Sequence, residues 1–161
     1  MPHGRKIYLL NSKIGRLEHV KMSESGARSG ETDALVAAVE IACRGLVYPS
    51  ERDYPIEPFF LENTADLTAR ELVDQIKGRF TGKFVEADFD QFFERLIKDQ
   101  PWHTSLKKRE VKKFRSLRNL LKTRLKNIRV YRFGEVQIDI LVFGEDGRGN
   151  LAGIKTRAIE T

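Results

Sequence analysis

Apolar residues recur along this chain with two periods, three-to-four and two, and each change of period marks a new element. Leu35, Val36, Val39 and Ala42 share one side of a helix that should run from Thr32, a good N-cap, to about Arg44, with Gly45 as the residue that ends it. Thr68-Ala-Arg-Glu71 is a capping box, and Leu72, Val73 and Ile76 continue a second helix. Asp88 caps a third, with Phe89, Phe92, Phe93 and Leu96 on its buried face. Thr104 or Ser105 opens the longest helix, which should extend to about Asn127 on a stripe of Val111, Phe114, Leu117, Leu121 and Leu125. Strands are expected over 56–62, at a sheet edge because Pro58 interrupts the segment, and over 83–86 and 128–133. Val136, Ile138, Ile140 and Val142 alternate with Gln137, Asp139 and Leu141, which predicts a half-buried strand. The turn Glu145-Asp-Gly-Arg-Gly-Asn150 makes 151–159 its hairpin partner. The sequence then stops at Glu160-Thr161, directly off a strand, so this end should be ordered and directed.

One stretch fits neither period. Gly45-Leu-Val-Tyr-Pro-Ser-Glu-Arg-Asp-Tyr-Pro-Ile-Glu-Pro-Phe-Phe60 carries three prolines, which remove backbone donors and make a long regular element unlikely. It nevertheless keeps Leu46, Val47, Tyr48, Tyr54, Ile56, Phe59 and Phe60. An irregular segment anchored by core residues holds its polar groups at fixed positions, and here those groups are Ser50, Glu51, Arg52 and Asp53. Glu51 can be read as a displayed carboxylate, or as an ordinary loop residue capping the amides of Asp53 or Tyr54.

Residues 1–31 stand apart from this pattern. Ile7-Tyr-Leu-Leu10 is a short apolar run and a possible edge strand, and the Ser- and Gly-rich segment after it predicts a flexible basic arm. That leaves residues 32–161 as the domain.

Length and composition, 161 residues with 40% hydrophobic and 32% charged, suit one soluble domain with an adequate core. A single cysteine, Cys43, excludes an internal disulfide framework and a cysteine-cluster zinc site. It falls on the apolar side of the first helix and should be buried; its solitary state is compatible with a reducing, cytoplasmic setting. The formal charge of +6 is unevenly placed: residues 107–129 hold eleven basic residues and one acid, Glu110. The basic helix has two readings, a solvated face that keeps the protein soluble, or a nucleic-acid surface using Lys112, Lys113 and Arg115. No metal or catalytic signature is present: His3, His19 and His103 lack ligand spacing, and no nucleophile elbow, phosphate loop or dinucleotide fingerprint occurs. No cofactor is expected. Trp102, between the third helix and the basic one, is either a core plug or an interface anchor.

Collinear blocks then point to a family. The proline-rich stretch, Phe84-Val-Glu-Ala-Asp-Phe-Asp-Gln-Phe-Phe93, Trp102, Leu125-Lys-Asn-Ile-Arg-Val-Tyr-Arg-Phe-Gly-Glu-Val-Gln-Ile-Asp139 and Gly149-Asn-Leu-Ala-Gly-Ile-Lys-Thr-Arg-Ala-Ile-Glu-Thr161 together resemble the nuclease A inhibitor family. The resemblance implies an α+β fold, a three-layer α/β/α sandwich around a mostly antiparallel sheet, similar to pathogenesis-related-1 proteins. It implies a protein inhibitor and no enzyme, monomeric when free, that forms a one-to-one complex with a sugar-non-specific, metal-dependent endonuclease. In that family the C-terminal threonine reaches the nuclease's metal through its hydroxyl and carboxylate, a position matched by Thr161. A loop glutamate pairs with active-site arginines, a position matched by Glu51. An Asp-Trp pair adds contacts; Trp102 matches the tryptophan, while Pro101 stands where the aspartate would be. The family's inhibitors are acidic overall, and this chain is basic.

Overall fold

Side-chain pattern and sheet geometry meet in a computed structural model that describes residues 6–10, 17–21 and 30–161, with side chains from Gly30 onward. β1 (Lys6–Leu10) pairs antiparallel with β2 (Leu17–Lys21). The Ser- and Gly-rich segment assigned above to a flexible arm lies almost wholly outside the described residues. Next come α1 (Gly30–Cys43), two-residue strands β3 (Val47–Tyr48) and β4 (Tyr54–Pro55), β5 (Glu57–Leu61) and α2 (Ala69–Arg79). They are followed by β6 (Phe84–Ala87), α3 (Phe89–Ile97), α4 (Ser105–Arg124), β7 (Lys126–Phe133), β8 (Gln137–Glu145) and β9 (Leu151–Ile159). The described residues thus form a mixed α and β domain whose five-stranded sheet, in the order β5-β9-β8-β7-β6, is antiparallel throughout.

Alternation along the strands divides the apolar side chains between the two faces. Val130, Ile138, Ile140, Val142, Ile154 and Ala158 meet α1, α3 and α4 through Leu35, Val39, Phe93, Phe114, Leu117 and Leu121. On the other face, Phe59, Tyr131, Phe133, Leu141, Phe143 and Leu151 meet Leu72 and Ile76 of α2. The strand read as half-buried is therefore buried on both faces, because Leu141 and Phe143 have a helix of their own to cover them. β5 occupies a sheet edge, as Pro58 predicts.

Local signals set the helix starts. Thr68 accepts from Glu71 N at 3.2 Å while Glu71 Oε1 accepts from Thr68 N at 3.1 Å, completing the capping box. Asp88 caps α3 through Gln91 N at 3.0 Å, and Thr104 caps α4 through Lys107 N at 3.1 Å. Two boundaries differ from expectation. Thr32 does not cap α1: the helix begins at Gly30, and Thr32 is buried within its first turn. The basic helix stops at Arg124 rather than near Asn127. Leu125 stays buried but takes extended backbone, and Asn127 has φ +53° within the irregular start of β7, where the register against β8 shifts between Lys126 and Arg129.

Gly153 marks the tightest approach in the sheet. A Cβ there would overlap the Val142 carbonyl oxygen and stand 2.7 Å from Phe143 Cα, and both atoms are backbone that cannot yield without moving β8. Gly153→Ala should lower stability by about 2–3 kcal/mol or more, read as a loss in the urea-unfolding midpoint. An unchanged midpoint would mean that β8 and β9 do not meet this closely.

Candidate partner-binding site

The proline-rich stretch is not irregular throughout. β3 and β4 pair in antiparallel register, Val47 with Pro55 and Tyr48 with Tyr54, so residues 49–53 are the loop of a miniature hairpin. Leu46, Tyr48, Ile56, Phe59 and Phe60 are buried, Val47 is exposed and Tyr54 is half-buried. Ile56 N donates to Leu46 O at 2.9 Å, and Thr156 Oγ1 donates to Pro55 O at 3.0 Å, tying the hairpin's base to the sheet.

The loop is also fastened at its tip. Glu51 N donates to Ile159 O at 3.2 Å, and Ile159 N donates to Ser50 Oγ at 3.1 Å. Ser50 Oγ in turn donates to Arg52 O at 2.5 Å. These bonds fasten the loop to the last residue of β9, 109 positions away in the chain. Within the loop, Ser50 organises the turn, since its Oγ also accepts from Arg52 N at 3.4 Å. The Glu51 side chain instead accepts a hydrogen bond from the Thr161 hydroxyl. Thus the two residues singled out from the sequence, Glu51 and Thr161, are in direct contact.

They border an open depression of about 310 Å³ lined also by Pro49, Ser50, Arg95, Ile159 and Glu160. Charge around it is unequally matched. Arg132 pairs with Glu160 at 2.7 Å. Burial alone would lower the Arg132 guanidinium, but its bond and attraction to Glu160 outweigh that and hold it above the ordinary arginine value. Glu160 N is held by Val136 O at 2.9 Å, which fixes the backbone entering Thr161. Arg95 donates to the Tyr48 hydroxyl and stacks 5.3 Å from the centroid of its ring. Glu51, exposed, has no cation in ion-pair reach among the described residues. A carboxylate with one hydrogen bond retains further acceptor positions for an incoming donor. Sequence reasoning named Ser50 only as one of the loop's polar groups and did not find Arg95, Arg132 or Glu160, since nothing in their spacing shows that the loop and β9 converge.

The other singled-out residues lie elsewhere. Trp102 is 76% exposed, which removes the core-plug reading. It sits on a turn closed by His103 N to Gln100 O at 3.0 Å and Gln100 N to His103 Nδ1 at 3.2 Å, and it does not line the depression. Lys112 and Lys113 are exposed on α4, while Arg115 donates to Ile97 O at the end of α3, 3.3 Å away. Cys43 is buried, and desolvation, followed by the charges of Glu57 and Glu40, pushes its thiol up to about 12, so it is not a reactive nucleophile. A larger hollow of about 420 Å³ adjoins it, lined by the end of α1 and by residues 55–58, with Glu40, Arg44 and Glu57 among its side chains. No group of three or more metal-binding side chains occurs among the described residues. Nor is any helix among them long and apolar enough to cross a membrane.

If Ser50 fastens the loop, Ser50→Ala should speed hydrogen exchange at the Ile159 amide while amides of β7 and β8 keep their protection; the deleted bond contributes about 1 kcal/mol. Equal protection in the variant would assign the loop's order to the hairpin alone.

Residues 33–161 match the family described as nuclease A inhibitor-like protein. No curated protein matches the chain.

Proposed function

The chain belongs to the nuclease A inhibitor-like family, and we propose that it inhibits a sugar-non-specific, metal-dependent nuclease by occupying the active site with Thr161 and Glu51. The observation that carries this reading is the contact between those two side chains on the rim of an open depression. A nuclease site recognises phosphate with a divalent cation and guanidinium groups. Two protein carboxylates set side by side imitate that charge, and a carboxylate can accept two parallel bonds from an arginine. In this reading Glu51 faces the nuclease's arginines, and the Thr161 hydroxyl and carboxylate reach its metal.

Preorganisation supports the proposal. An extended loop that became ordered only on binding would lose affinity to entropy. Here the loop is closed by β3–β4 pairing and fastened to Ile159, and the end of β9 is held by Val136 O. Among the described residues Glu51 also lacks the internal cation that Glu160 has in Arg132, so an incoming guanidinium need not displace one from them. Inhibition of this type calls for no catalytic group or cofactor in the inhibitor. The complex would be one-to-one, with Trp102 as a second, separate contact: its exposed indole suits an interface anchor. The two apolar clusters, with α1, α3 and α4 on one face and α2 on the other, support the three-layer sandwich of the pathogenesis-related-1 type.

Two measurements test the mechanism with purified protein and a metal-dependent, sugar-non-specific nuclease. Adding several residues after Thr161 should abolish inhibition, because the last residue would no longer fit at the metal; full inhibition by the extended chain would sink this mechanism. Glu51→Ala should weaken the complex by about 2–5 kcal/mol, as expected for removing one partner of a desolvated charge pair. A change near zero in the inhibition constant would return Glu51 to the role of a plain loop residue.

A further inference from the structure

Positive charge is concentrated on α4, away from the depression, and among the described residues much of it has no ion-pair partner. On α4, Lys107 pairs with Glu110 at 3.4 Å, Lys122 pairs with Asp90 at 3.2 Å, and Arg115 is occupied by the Ile97 carbonyl. Lys108, Arg109, Lys112 and Lys113 form no ion pair among the described residues. These four are i, i+4 pairs, 108 with 112 and 109 with 113, so they make two short parallel rows. Each row rises about 6 Å along the helix.

Lys112 and Lys113 also line a groove of about 200 Å³ between α1 and α4, together with Ile41, Ala42, Arg44 and Ser116. Arg44, beyond the end of α1, is exposed and likewise has no carboxylate partner among the described residues. Three cations, two from α4 and one from just past the end of α1, thus line one hollow whose remaining polar side chain, Ser116, is a hydroxyl. This is a donor-only charge set with a hydrogen-bonding group beside it, complementary to a phosphate.

We propose that the α1–α4 groove seats a phosphate of a nucleic-acid backbone, with Lys108 and Arg109 extending the contact along the strand. Charge complementarity selects the occupant. An anionic bilayer is the other polyanion such a helix could meet, but a membrane-surface helix needs an apolar face to bury. The apolar stripe of α4, Val111, Phe114, Leu117 and Leu121, is already buried in the core. Contacts of this type carry no base sequence information, so binding is non-specific and salt-dependent. The groove shares no residue with the Glu51–Thr161 depression. It would therefore hold the inhibitor on the polynucleotide where a nuclease works, independently of the inhibitory contact.

The structure also guides the choice of variants. Lys113 Nζ lies beside Gly45 at the end of α1, 3.7 Å from where a Cβ would stand. Arg44 and Lys112 are the cleaner pair. Binding of the full chain to a short labelled duplex and to the same single strand should be followed by anisotropy between about 50 and about 200 mM salt. The expected result is binding that weakens steeply with salt, with Arg44→Gln/Lys112→Gln reducing affinity about tenfold at the low end and lowering the salt slope by about 2. Lys122→Gln, whose ammonium already has Asp90, should change it far less, and Glu51→Ala should bind duplex normally. The double variant should still inhibit the nuclease, which separates this proposal from the inhibitory reading. Absence of binding to either nucleic acid at low salt, or equal binding by the double variant with an unchanged thermal midpoint, overturns the proposal. So does a stronger affinity for vesicles containing phosphatidylserine than for duplex.

Discussion

The pairing of β9 between β5 and β8 is the constraint through which distant parts of this molecule are brought into register. β9 pairs with β8 along nine residues and with β5 along five. Gly153 lets the strands approach where a side chain would not fit. That ladder places Ile159 under the 49–53 loop, and Ile159 then supplies both a donor and an acceptor to it. Backbone groups left over at a strand's end need partners if they are shielded from water. Here they find them in the loop that carries Glu51. A polar requirement of the sheet thereby becomes the means of holding an exposed carboxylate in place.

The charges follow a comparable division. Near the depression, arginines are matched locally, Arg132 by Glu160 and Arg95 by the Tyr48 hydroxyl, and Glu51 is left available. On α4 the opposite holds, with lysines and arginines exceeding their carboxylate partners. A basic protein can therefore carry a local anionic feature, because exposed charges beyond about 10 Å are largely screened at ordinary ionic strength. The overall sign of the chain is a weak guide to which of its surfaces meets which partner.

Much of the fold was legible because short-range chemistry decides it. The capping box at Thr68 and Glu71 and the Asp88 cap are complete within four residues, and the acidic, glycine-rich turn before β9 forms its own bonds through Asp146 and Asn150. The failures occurred where a long-range contact overrides a local pattern. Leu125 continues the apolar spacing of α4, so periodicity could not show that its buried side chain sits on extended backbone. Thr32 has a capping side chain, but burial in the core removes it from that role. Glu51 and Thr161 could be named from family resemblance. Their meeting could not be read, because it depends on Ser50 and Ile159, which are 109 residues apart and carry no motif. Trp102 remained ambiguous until its exposure was known, since proline and histidine neighbours suit a plug and an anchor equally well.

The hairpin register has an implication for how such a domain can vary. Side chains along a strand alternate faces, so a shift of one residue exchanges inside for outside. From the bonded turn at Asp146 and Asn150, β9 runs without a bulge to Ile159. The sheet therefore works as a ruler, and the location of Thr161 is a residue count taken from that turn. Length changes in the 62–68 or 98–104 connections leave the count untouched. A single insertion or deletion between Leu151 and Ile159 would displace the end of the chain by about 3.3 Å and turn it to the opposite face. Related sequences that keep this contact should vary in loop length freely, and in the spacing from turn to terminus hardly at all.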